Sequence, residues 1–191
     1  FAAVSMLYIV AFETFSKLFK VVLKNPYLIM AAGGAIVALL TLVLQTNEYL
    51  GTGISQIPDI MFVSAPWYVF LLKILFTSVS LGAGFKGGEI APAMFVGASL
   101  GSFIAPMFDL PIPLVVACGI AAVFCGVTNS PITAIVFSIE LFGAGQIYYC
   151  MICVSVSYLI SEYFSIYKTQ KIMYSKYSTT FINRKSHHID N

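Results

Sequence analysis

Gly87-Gly88-Glu89-Ile90-Ala91-Pro92 separates two apolar runs, residues 67–83 and 90–105. Two glycines, an acid and a proline at this place break any helix that the flanking runs begin. Inside hydrocarbon, irregular backbone is tolerated only where protein encloses it or a polar cavity receives it. The break therefore demands a packed bundle around itself, and it creates a place where backbone groups can meet an ion.

The apolar setting is a property of the whole chain. Of its 191 residues, 59% are hydrophobic and 9% are charged, against roughly 25% charged in a soluble domain. Mean hydropathy is +0.92. These values predict an integral membrane protein. Net charge is +2, with basic residues concentrated at the two ends, and no nucleic-acid pattern emerges. The start at Phe1-Ala2-Ala3 shows neither an initiator Met nor a signal peptide and reads as an interior cut in a longer protein.

Residues 4–24 mix apolar positions with Glu13, Lys17, Lys20 and Lys24, as at the end of a membrane helix. Asn25-Pro26 opens the next helix, an apolar run over 27–44 in which Gly33-Gly34 permits close helix contact. A more polar link, 45–66, precedes the run at 67–83. Trp67 and Tyr68 suit an interfacial belt. Lys73 interrupts that run, which calls for snorkelling, burial against another segment or a part in attracting ions. Gly97 and Gly101 fall on one face of the 90–105 helix and predict tight packing. Further apolar helices are expected over 112–127, 132–142 and 147–164, with Asn129-Ser130-Pro131 breaking the chain between the first two. Several segments are too short for straight spans. The expected fold is an all-α integral membrane bundle of broken, tilted helices over residues 1–180, with a polar tail at 181–191.

At the break, orphan N–H groups and the positive helix end attract an anion. Pro92 fits the first turn. A tightly packed structural kink is the other reading. Glu89 can carry protons, repel the wrong ion, pair with a base or cap the helix; its charge opposes an anion unless it turns away or is protonated. Glu140 reads as a residue near a helix end. Tyr167 has a phenol that can donate to an anion, although as one Tyr among 11 an interfacial role is favoured on composition alone. His187 and His188 read as exposed. Cys118, Cys125, Cys150 and Cys153 lie in apolar runs and read as core or lipid-facing thiols. No metal-ligand set, cofactor motif or nucleophile–base pair emerges, so an enzyme is not expected.

Three stretches resemble the voltage-gated chloride channel (CLC) family. Gly88-Glu89-Ile90-Ala91-Pro92, with Gly97 and Gly101 downstream, is similar to the family's G-x-F-x-P anion-binding segment. Gly119-Ile120-Ala121-Ala122 through Asn129-Ser130-Pro131 to Ile139-Glu140 resembles its small-residue helix, the break before proline and the next helix. Ile166-Tyr167 resembles the late tyrosine near the central anion. The resemblance implies the second half of an inverted-repeat transporter, a chloride or fluoride channel or an anion/proton antiporter. It implies anion contacts at Gly88, Glu89, Ile90 and Tyr167, supported by Gly87, Pro92, Gly97, Ser130 and Pro131. It also implies a homodimer built through residues near 131–160. Ile90 replaces the usual Phe, Glu89 stands where an apolar residue is common, and Ala91 lacks a hydroxyl. The phrase from Gly84 to Glu89 resembles a bacterial branch that includes fluoride–proton antiporters. The family's G-S-G-I-P and G-[KR]-E-G-P/T segments, the latter with the gating glutamate, have no counterpart here. An inactive or structural subunit derived from half a transporter is the competing expectation.

Overall fold

The computed structural model describes residues 1–167 and 169–186, with Arg184 and Lys185 described in backbone only. His187 and His188 lie outside the described residues. Eight α-helices run in chain order among them: α1 (Ala2–Val22), α2 (Pro26–Leu44), the single turn α3 (Ile57–Ile60), α4 (Tyr68–Gly82), α5 (Ile90–Ile104), α6 (Ile112–Thr128), α7 (Pro131–Phe142) and α8 (Ile147–Ile160). Their ends follow local chemistry. The Asn25 side chain accepts the Tyr27 amide at 3.0 Å and Pro26 opens α2. Pro113 and Pro131 occupy the first turns of α6 and α7. Asn129 ends α6 in the left-handed conformation, its N–H reaching the Cys125 carbonyl at 2.7 Å.

Among the described residues, three helical stretches are long and apolar enough to cross a membrane: Ala2–Val22, Pro26–Leu44 and Ile90–Phe108. The chain is an integral, multi-pass membrane protein. The others are shorter; the 12 residues of α7 extend only about 18 Å at helical rise.

α5 and α6 form the centre. All of Pro92–Ser102 and all of Val115–Thr128 are buried. Their backbones meet at glycine: a Cβ on Gly97 would lie 2.5 Å from the Gly119 carbonyl oxygen, and one on Gly101 2.6 Å from that of Val115. The one-face pair Gly97 and Gly101 thus packs as expected. α8 lies on α6, where Ser157 Oγ donates to the Ala122 carbonyl at 2.7 Å. α1 and α4 close the other side, with Tyr8, Ile74, Ala93, Val96, Val123, Val127 and Ile166 sharing one apolar cluster. α2 buries only Gly33, which sits against Ala83.

Lys73 neither snorkels nor faces an aqueous path. It is fully buried. Its ammonium donates to the carbonyls of Gly51 (2.9 Å) and Tyr49 (3.2 Å) and lies 5.0 Å from the Phe95 ring centre. A lysine in the α4 run is therefore the pin for the polar link before it. Gly53 completes the fit: its φ of +79° favours glycine, and a Cβ there would press on Phe95 at 2.7 Å. The four cysteines are free; Cys118, Cys125 and Cys150 are buried, as a core role requires.

One expectation needs correction. The described chain is not helical throughout, because β1 (Lys171–Tyr174) pairs antiparallel with β2 (Phe181–Lys185). Residues assigned to a polar tail from 181 thus begin as a strand. Ile, Tyr and Phe suit a pleated surface, and the turn between the strands has partners. Lys176 Nζ donates to the Tyr158 carbonyl at 2.7 Å and Tyr177 Oη to that of Leu159 at 2.6 Å, satisfying the end of α8.

Two substitutions test this packing. Gly97→Ala should lower the thermal midpoint sharply, by about 1–3 kcal/mol of overpacking strain, whereas Gly145→Ala, with open space around it, should leave it near the parent value. Lys73→Met leaves the buried Tyr49 carbonyl without its donor and should cost about 1–3 kcal/mol, read as loss of the folded fraction in detergent melts.

Candidate functional site

The chain between α4 and α5 turns at Gly84, whose φ of +90° closes the end of α4, and runs through Phe85-Lys86-Gly87-Gly88 to Glu89. Glu89 occupies the N-cap position of α5 in helical conformation, and its side chain makes no capping bond. The capping role weighed for it is not realised. The amides of Glu89, Ile90 and Ala91 come before the first carbonyl that α5 can offer, so the helix leaves these donors without an internal partner. The helix dipole adds positive potential there. Pro92 and the ten residues after it are buried, which holds this helix start rigidly inside the bundle.

A cavity of about 200 Å³ lies beside the break. Its wall includes Gly87, Gly88 and Pro92, with Thr77 and Ser80 from α4 and the exposed Lys86. Among the described residues no carboxylate lines it. A Cβ on Gly88 would meet nothing within 4 Å, so the space here is open to a ligand. Hydroxyls, glycine backbone and Lys86 stand there among the apolar side chains of Leu50, Phe76, Leu81 and Phe85, with no acid beside them.

The other side of the helix start carries Glu89 and two phenols. Tyr8 of α1 is 1% exposed, and its hydroxyl donates to the Glu89 carbonyl at 2.7 Å. Tyr167 follows a short anchored segment: the Ile166 N–H bonds the Val127 carbonyl at the end of α6 (3.0 Å), and the Tyr167 N–H bonds Ser165 Oγ (3.2 Å). Burial first, and the negative charge of Glu89 second, push the Tyr167 phenol above its ordinary pKa. Glu89 and Tyr167 therefore share one electrostatic environment, although Tyr167 remains 40% exposed and does not line the cavity.

The candidate residues thus divide. Gly87, Gly88 and Pro92 line the cavity; Glu89 and Ile90 begin the helix; Tyr167 approaches Glu89 from beyond α6. Gly97 acts through the α6 contact. Ser130 and Pro131 belong to the α6–α7 junction, where Ser130 Oγ turns back to the Thr128 carbonyl at 3.3 Å and Pro131 begins α7. Glu140 is exposed on α7. Tyr8 was not legible as a partner, since one more tyrosine in an apolar helix, 81 positions from Glu89, gives no pattern. Thr77 and Ser80 gave only a weak signal, as hydroxyls three apart in an apolar run. Among the described residues no cluster of His, Cys, Asp or Glu could hold a metal ion.

An enclosed multi-pass bundle, a helix interrupted at its core and open amides beside a carboxylate-free cavity define a membrane ion-transport architecture. The chain belongs to the voltage-gated chloride channel family, whose model matches residues 1–162. It is 39% identical over 153 residues to a chloride/fluoride channel protein of Pseudomonas syringae pv. tomato, covering 76% of this chain and 34% of that protein. It is 31% identical over 130 residues to the voltage-gated ClC-type chloride channel ClcB of Salmonella typhimurium, covering 62% of this chain and 30% of that one. A crystal structure of a CLC-type fluoride/proton antiporter superposes with a TM-score of 0.81 at 34% identity, over 87% of this chain and 42% of that one. The chain thus spans about a third of the length of these curated relatives. The family is one of channels and transporters, not enzymes.

The anchoring of Tyr167 through its neighbour is testable. Ile166→Ala removes a side chain buried in the central cluster and should destabilise by about 2–5 kcal/mol. Tyrosine fluorescence quenching by acrylamide should then increase more than in Ile160→Ala, which removes an exposed side chain.

Proposed function

We propose that the chain supplies one wall of an anion pathway, carrying chloride or fluoride in a channel or an anion/proton antiporter. The observation that carries this reading is the break before α5, where Gly87, Gly88 and Pro92 line a cavity without carboxylates next to the start of the helix. Relatives described as a chloride/fluoride channel and a fluoride/proton antiporter support the substrate class. In this reading the backbone of Gly88, Glu89 and Ile90 binds the anion, and the Tyr167 hydroxyl donates to it from the far side. Gly87 and Pro92 shape the wall, and Gly97, Ser130 and Pro131 hold the helices that carry it.

The chain corresponds to the second half of an inverted-repeat transporter in this proposal, and other segments supply the opposite wall and the gate. A homodimer through residues near 131–160 is supported by exposed apolar side chains on α7 and α8, among them Ile132, Val136, Tyr148, Ile152 and Val156. Fluoride is the favoured substrate within the class, since its relatives include proteins described with that ion. Glu89 is then the group that exchanges protons or sets the pH response.

Liposome flux tests the reading directly. The chain, alone and co-expressed with the first half of a family member, is reconstituted, and chloride, fluoride and proton movements are recorded together. Anion flux in the paired form is expected, with proton movement in the opposite direction for an antiporter. No anion flux and no anion binding in either form would instead leave a structural subunit as the function. Glu89→Gln should alter the pH profile of that flux, and an identical profile would remove Glu89 from proton handling. Tyr167→Phe should weaken anion binding by about two- to tenfold, the size of one hydrogen bond, with the fold retained; unchanged affinity would dismiss the contact.

A further inference from the structure

We infer that Tyr8 is a positioning residue for the anion-binding amide of Ile90, an inference that rests on the anion reading of the α5 start. The Glu89 carbonyl and the Ile90 N–H belong to one planar peptide unit. In the trans form that such bonds adopt, the two groups point in opposite directions. Whatever fixes the carbonyl therefore aims the amide.

Tyr8 fixes it. Its hydroxyl donates to the Glu89 oxygen at 2.7 Å. The helical bond to the same oxygen, from the Ala93 amide, is stretched to 3.4 Å, longer than the usual 2.9–3.0 Å or so. The first turn of α5 thus depends on α1 for the orientation of this peptide more than on its own ladder. The phenol itself cannot wander: its ring is enclosed by Ile74, Ala93, Val96, Val123, Val127 and Ile166, drawn from α4, α5, α6 and the segment before Tyr167. A donor on the carbonyl polarises the peptide so that its N–H becomes a better donor in turn. Tyr8 therefore aims and strengthens the Ile90 amide without touching the anion.

The test uses the chain labelled with 15N-isoleucine in phosphatidylcholine nanodiscs, titrated with sodium chloride and sodium fluoride. Ile90→Val assigns the Ile90 amide resonance by its disappearance. In the parent chain, anion addition should shift that resonance. In Tyr8→Phe the shift should shrink and affinity should fall by about two- to tenfold, as for one hydrogen bond. Replacing Tyr8 with 3-fluorotyrosine, which keeps the ring and sharpens the donor, should tighten binding and enlarge the shift; a merely structural phenol would not do this. It also keeps the test sharp if Tyr8→Phe folds poorly. Parental affinity and an unchanged Ile90 shift in both variants would overturn the role of Tyr8 while leaving the anion site standing. No Ile90 shift with either anion in the parent chain would overturn the site and, with it, the role of Tyr8.

Discussion

A backbone that leaves the helix inside hydrocarbon must find every hydrogen-bonding partner within the protein, and the surroundings of α5 are arranged around that demand. The break at residues 84–89 frees carbonyls and amides together. The Glu89 carbonyl is taken by Tyr8. The Phe85 amide returns to Ser80 at 3.3 Å and that of Gly84 to Leu81 at 3.0 Å. The first amides of α5 precede any acceptor of the helix itself, and the cavity lined by Gly87, Gly88 and Pro92 lies beside that start.

Enclosure of that site comes from close backbone contact rather than large side chains. Gly97 against Gly119 lets α5 and α6 approach until no Cβ fits between them. Small residues serve this purpose in membranes because helix association there relies on packing, without a hydrophobic driving force. The same closeness places the end of α6 where Val127 can accept from Ile166. Packing between two helices thereby fixes the approach of a third segment, the one that ends in Tyr167.

Much of this was legible in sequence wherever the signal is local. Asn25-Pro26 and Asn129-Ser130-Pro131 mark helix limits because capping and proline act within a turn. Gly97 and Gly101 announce a packed face because their spacing matches helical geometry. Lys73 could be flagged as costly, but its partners are carbonyls of Tyr49 and Gly51, and carbonyls carry no sequence signature. Tyr8 was hidden for the same reason: it binds backbone, not a side chain. The β1–β2 pair was missed because its alternation is weak and its turn is held by the end of α8, a tertiary contact that local propensity does not report.

The same separation explains how Glu89 can stand at an anion site. Coulomb repulsion from a carboxylate a few ångströms away would offset much of what the helix start offers. The residue resolves the conflict by direction. Its side chain makes no cap at the helix start and does not line the cavity, whose wall joins glycine, proline, hydroxyls and Lys86 with the apolar Leu50, Phe76, Leu81 and Phe85. Its field is felt instead by Tyr167, on the side where Tyr8 holds its carbonyl.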